Sequence, residues 1–314
     1  MLKYICLSLF VLVFLLLVAI NLPIVHKLIT SKANSIFADK GWPVHIGGFS
    51  LLLNGEIGLS QVEIIPSKSD TILYAGSLKV SVSPGGLLHK QLIVKNIDLE
   101  HVVLNLLTDS VSGELEISRL FASPSPKVQD TTHKEPSAWD IDLHQVTLRN
   151  IRFRYTDPRH GIGIEQTLNK AEILADTFSL LRNKIDLASI KLEKVKGLVT
   201  ISEAVKDTTA ETASAPSPWK FSVRSLFLDD ISQTLNQPES GQTMKFSLLT
   251  GNFAVSKIDL STQTIIVPFL KLLEPSVEVI NSGQSATSAP GNDEKTSELP
   301  VFPWTIACDA ADIK

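Results

Sequence analysis

Histidines, cysteines and paired carboxylates are the side chains through which this chain could do chemistry, and their spacing offers little. Seven histidines (His26, His45, His89, His101, His133, His144, His160) are scattered singly, none with a histidine or cysteine two to four residues away. Metal sites need such clusters, so no metal is expected. Cys6 and Cys308 are too few for a zinc site or a disulfide framework. Asp157, His160 and Glu165 surround one predicted turn and could be drawn as an acid–base site. Turns favour these residue types for backbone reasons, so a solvated hairpin tip explains them more simply. Asp229 and Asp230 read as a solvated pair at a strand end. The GxSxG, HExxH, phosphate-loop, GxGxxG and CxxC patterns are all missing. Neither an enzyme nor a cofactor-binding protein is expected.

Composition narrows the field further. Lys and Arg number 29 against 33 Asp and Glu, a formal charge of −4, which excludes a general nucleic-acid binder. At 44% apolar residues the 314-residue chain is not a disordered one. Aromatics are only 6%, so Leu, Ile and Val must supply the buried surface.

The elements that would position any site begin with an apolar run, YICLSLFVLVFLLLVAI, over residues 4–20. Extended to residue 25 it reaches bilayer thickness, and no A-x-A-like cleavage pattern follows. Residues 1–25 are therefore expected to be an uncleaved signal-anchor helix. Lys3 precedes the run while Lys27, Lys32 and Lys40 follow it, so charge alone does not set the orientation. Apolar residues at helical spacing over 26–40 predict an amphipathic helix ending near Gly41. It could lie on a membrane surface or pack on a following sheet.

The body repeats. Trp139 opens WDIDLHQVTLRNIRFRY and Trp219 opens WKFSVRSLFLDDISQTL. A gapless shift of 80 aligns Gly161 with Gly241, Ile164 with Met244, Ile173 with Phe253 and Leu187 with Val267. A shift of 93 lays residues 87–102 over 180–195, with six identities in sixteen positions. Trp304 opens a further copy, WTIACDAADIK, in which Cys308 takes the place of Leu143 and Val223 as a buried thiol. The predicted units are 41–121, 139–202, 219–280 and the start of a fourth at 304–314. Pro/Ser/Thr-rich linkers at 122–138, 203–218 and 281–303 separate them. A fourth unit that stops after one strand leads us to expect the N-terminal part of a longer protein.

Within each unit apolar residues recur with period two and are broken by Gly, Pro and Asn, as in strands joined by hairpins. Phase slips, as from Leu143 to Val146, predict bulges. The expected fold is mainly β: an elongated, repetitive antiparallel sheet, apolar on one face. Leu99, Val102, Leu104, Leu143, Leu148, Phe153, Leu192, Val195, Val223 and Leu228 are expected to line that face. It could close into a sandwich core or stay open as a groove holding acyl chains.

The order of these features resembles the N-terminal part of the AsmA-like superfamily, in particular TamB-type translocation and assembly module proteins. The resemblance rests on the anchor ending in Asn21-Leu22-Pro23, on GWPVHIGGFSLLLNGEIGLSQVEI (41–64) and on SDTILYAGSLKVSVSPGGLLHKQLIVKNIDLEHVVLNLL (69–107). GELEISRLF (113–121) completes it, and the later repeats match more loosely. The resemblance implies a bacterial inner-membrane anchor and a long periplasmic β-taco with a greasy groove. It implies phospholipid transport towards the outer membrane, or assembly of outer-membrane or secreted β-proteins with a barrel partner engaged through a C-terminal part. It supplies no catalytic residues, and a passive envelope tether remains a further reading.

Overall fold

The computed structural model describes residues 22–117, 140–179, 183–202, 220–259, 264–281 and 305–314, apart from 53–54, 67–70, 88–90, 111 and 114. The apolar run at 4–20, the three repeat tryptophans and the three linkers, apart from Asn281, lie outside the described residues. No helix among the described residues is long and apolar enough to cross a membrane.

The chain opens on α1 (Pro23–Asp39), so Pro23 starts a new helix and does not extend the predicted anchor to residue 25. Proline suits a first helical position because its fixed φ is already helical and its missing N–H has no partner there. Gly41, at φ +68°, ends the helix as expected. The Gly41 N–H donates to Ala38 O at 2.9 Å and the Trp42 N–H to Phe37 O at 2.9 Å, the paired bonds of a Schellman end.

The remaining elements are β1 (Val44–Leu51), β2 (Glu56–Ile64), β3 (Leu73–Val82), the short helix α2 (Pro84–Leu87) and β4 (Gln91–Leu107). Then come β5 (Asp140–Leu143), β6 (Gln145–Asp157), β7 (Ile162–Ser179) and β8 (Lys184–Ile201). The last group is β9 (Lys220–Gln237), β10 (Gln242–Ala254), β11 (Lys257–Asp259), β12 (Thr264–Leu273), β13 (Ser276–Asn281) and β14 (Thr305–Ile313). All fourteen strands belong to one sheet, in the order β1-β2-β3-β4-β6-β7-β8-β9-β10-β12-β11. β5 also pairs with β4, β13 with β10 and β14 with β12.

The sheet is mixed, which corrects the expected antiparallel one. Pairs within a unit are antiparallel, but β6 joins β4, β9 joins β8 and β14 joins β12 in parallel. A parallel neighbour requires the chain to travel back the length of a strand before it pairs. The linkers lie where that return must happen, since each falls between the last strand of one unit and the first of the next. Hydrophobic pattern alone does not distinguish strand direction, so only this length argument could have revealed it.

The repeats themselves are visible in the backbone. A shift of 80 carries the outer limits of β5 and β6 onto those of β9, and those of β7 onto those of β10 and β11. The same shift carries β8 onto β12 and β13, and Gly161 (φ +64°) onto Gly241 (φ +63°). A shift of 93 lays β4 along β8.

Each unit also carries a left-handed residue inside a strand. Gln61, His101, Asn150, Lys194 and Asp230 have φ between +50° and +54°, and Glu274, between β12 and β13, has φ +52°. These residues face one another across the sheet: the ladder skips His101 opposite Asn150, and Lys194 opposite Asp230. In each, the apolar phase shifts by one residue, from Leu148 to Ile151 and from Leu192 to Val195. Arg149 and Asn150 are consecutive and both exposed, as at a bulge. The strands are therefore creased along a single line. A second line runs through His144, Ala188 and Arg224, where the ladders are again interrupted and the phase shifts from Leu143 to Val146. That is the slip expected from the sequence.

None of the six creasing residues is β-branched, consistent with the cost of a branched side chain at positive φ. Asn150→Val should lower the stability of the protein by about 1–2 kcal/mol, whereas Asn150→Gly should cost little. Denaturant midpoints of the two variants check this.

Candidate functional site

Strand register places all ten anticipated lining residues in the apolar rows of one face. Leu99 pairs with Leu148, Val102 with Ile151 and Leu104 with Phe153. Ala171 links Leu148 to Leu192, which pairs with Leu228, while Val195 pairs with Ile231. Leu143 pairs with Val94, and Leu187 with Val223. The Leu148 row continues to Leu78, Leu59 and Phe49 on one side and to Gly251 and Leu272 on the other. One apolar row thus crosses every unit of the sheet.

Val102 and Val223 are buried, and the other eight are half-buried. Among the described residues no large side chain is fully buried. Among the described residues all strands belong to one sheet, and the helices meet it where α1 lies against β1 and α2 against β4. Burial is uneven along the rows: Leu248, opposite Ile231, is 2% exposed, whereas the leucines and Phe153 of the expected lining keep part of their surface.

The opposite face is ionic. A row of charged residues runs through Glu100, Arg149, Lys170, Glu193 and Asp229, with opposite signs facing at Glu100–Arg149 and Lys170–Glu193 and like signs at the other two pairings. Arg149 reaches Asp98 at 3.0 Å, Lys170 reaches Glu172 at 2.7 Å, and Lys191 reaches Glu193 at 2.7 Å. The hydrogen bond from Lys191 holds the Glu193 carboxyl below its usual range, against the opposing effect of burial. Such exposed pairs contribute little stability each. They do keep one face wet and leave the other to apolar contacts.

One polar element interrupts the apolar face, and the sequence reading missed it. Gln166 on β7 and Gln233 on β9 flank Gly197 on β8 in a single row. Their amides exchange hydrogen bonds across the intervening strand: Gln166 Nε2 donates to Gln233 Oε1 at 2.9 Å, and Gln233 Nε2 to Gln166 Oε1 at 3.1 Å. A Cβ on Gly197 would collide with both amides, so glycine is what lets them meet. The row continues to Phe153 and Leu104 on one side and Phe246 on the other. A polar position falling on the apolar phase of two strands in different units was the only signal in the sequence.

The suggested acid–base group is a turn. Asp157 accepts from the Arg159 N–H at 3.1 Å, the His160 N–H at 3.2 Å and the Tyr155 hydroxyl at 3.2 Å, with His160 Nδ1 at 2.7 Å. Burial opposes its ionisation, but the bonds and charge of His160, with the Tyr155 hydroxyl, outweigh it and hold the carboxyl below its ordinary value. Glu165 pairs instead with Arg154, at 3.1 Å. Asp229 and Asp230 lie within β9 at the crease, not at a strand end. Cys308 on β14 is free and exposed, not buried. Among the described residues no group of three potential ligands could hold a metal.

No family model matches the chain, and no curated protein matches it.

Gln166→Leu alone should cost about 1–3 kcal/mol by orphaning the Gln233 amide, and Gln166→Leu with Gln233→Leu should recover most of it. A double-mutant cycle in urea measures the coupling. A carboxyl whose pKa is lowered by folding adds stability above its unfolded pKa and loses it as pH falls through the folded value. Acid should therefore destabilise the wild-type protein more than Asp157→Asn over that window, as read by denaturant midpoints from neutral pH down to about pH 2.

Proposed function

We propose that the chain is a membrane-anchored, AsmA/TamB-like protein of the bacterial inner membrane, with its body in the periplasm, whose creased sheet forms a hydrophobic groove. Acyl chains of phospholipid lie along the aliphatic rows while head groups stay at the mouth, and the protein conducts them in outer-membrane biogenesis. The observation that carries this reading is the apolar face itself: continuous through every unit, aliphatic, and half-buried at most of the expected lining residues. The creases support it, since an extra residue on the polar side of each strand turns the strand around its apolar face. The order of anchor, helix and repeats supports the family resemblance.

A second reading is an assembly factor for β-proteins, in which a client strand would pair with β13, where Val277 and Val279 are exposed. An exposed strand edge offers backbone groups to a client strand. The passive tether is the reading in which the apolar face closes into a core and holds no lipid.

Native mass spectrometry of the full chain extracted in mild detergent tests the groove. Phospholipid should co-purify with the wild type and be lost in Leu148→Glu or Val195→Glu variants that keep their strand circular dichroism. Lipid-free wild type, or folded charged variants that retain lipid, would overturn the reading. Proline in β13 that abolishes client binding and leaves lipid in place would favour the assembly reading.

A further inference from the structure

α1 turns its polar side to the sheet. The Asn34 side-chain amide donates to Ile46 O at 2.8 Å and accepts from the Ile46 N–H at 2.9 Å. It thus takes the place of a neighbouring strand at the outer edge of β1. His26 sits edge-on against the Phe49 ring, with centroids 6.0 Å apart, and Thr30 is half-buried beside them. The helix therefore lies along the first edge of the sheet and seals it.

The opposite side of the same helix carries exposed apolar residues. Ile24 is 70% exposed and Leu28 68%, with Ile29 and Ile36 also exposed. At about 100° per residue these four fall within one arc of the helix, opposite His26, Thr30 and Asn34, and Lys32, Ser35 and Asp39 share that arc. A helix whose only partner were the sheet would be arranged the other way round, with isoleucine and leucine inward.

We infer that this arc of α1 rests on a lipid bilayer surface and sets the first strand of the sheet against the membrane. The apolar run at 4–20 ends only two residues before Pro23, so a helix starting there is held at the surface that run leaves. Lys32 within that arc, with Lys27 and the end residue Lys40, adds positive charge suited to anionic head groups. α1 parallels the β1 edge, so a bilayer beneath it lies across the end of the sheet, and the rows of the apolar face lead away from it. The inference rests on the anchor reading of residues 4–20 and not on lipid in the groove.

The test uses the full chain, with both native cysteines replaced by serine, in phosphatidylethanolamine vesicles containing a minority of phosphatidylglycerol. Single cysteines at Ile24, Leu28 and Ile36, and a control at exposed Lys196, carry an environment-sensitive dye. Flotation reports anchoring, and quenching by lipids brominated on the acyl chains reports contact. Quenching at the three helix positions should exceed that at Lys196 by at least about twofold. Leu28→Asp should abolish it at Ile36 while the protein still floats. Floating protein quenched equally, or not at all, at helix and control positions overturns the inference and leaves the anchor reading standing. Protein that does not float overturns both.

Discussion

A strand exposes alternate side chains on opposite faces, so a sheet can keep one face apolar only while every strand keeps its phase. In this molecule each long strand changes phase and still presents a single apolar face, because the backbone changes with it. Asn150 shows the arrangement: Leu148 and Ile151, an odd number of residues apart, both belong to the apolar rows, and the left-handed residue between them absorbs the difference. One strand with such a bulge would disrupt its ladders. Here His101, Asn150, Lys194 and Asp230 stand level with one another, so neighbouring ladders are interrupted at the same place and resume in register on both sides. The crease is collective, and the apolar rows depend on it.

Strands added at an edge in this way contact only their neighbours, as in other quasi-one-dimensional repeat proteins. The two ends of such a stack are then the places where pairing must be managed. At the first end Asn34 satisfies the outward N–H and C=O of Ile46, and α1 covers the strand.

Much of this was legible in the sequence. The repeat lengths predicted which strands are equivalent, and the apolar phase put expected lining residues in register with one another, as Leu99 with Leu148 and Leu192 with Leu228. The slip from Leu143 to Val146 marked a crease. The left-handed crease was also written there, in Leu99-Glu100-His101-Val102, Leu148-Arg149-Asn150-Ile151, Leu192-Glu193-Lys194-Val195 and Leu228-Asp229-Asp230-Ile231. It escaped notice because a phase slip records that something intervenes and not its φ. Strand direction escaped because side-chain pattern is the same in both directions. The Gln166–Gln233 pair escaped because it joins residues of two units across a third strand, a coincidence that only register produces.

That pair bears on how the apolar face would work under the proposed reading. Rows of Leu, Ile and Val repeating every 4.8 Å or so offer a chain of methylenes nearly the same contact at each rung, so little free energy separates successive positions. Uniform rows suit movement more than storage. At the Gln166–Gly197–Gln233 rung the uniformity ends, since each amide spends one N–H on its partner and keeps another. A methylene chain gains less there than on Phe153 or Ile164 and displaces no bond from the pair. An ester carbonyl, in contrast, could accept the spare N–H. The rung would then slow the part of a lipid that carries oxygen and pass the part that does not, which gives an otherwise featureless face a fixed register for its cargo.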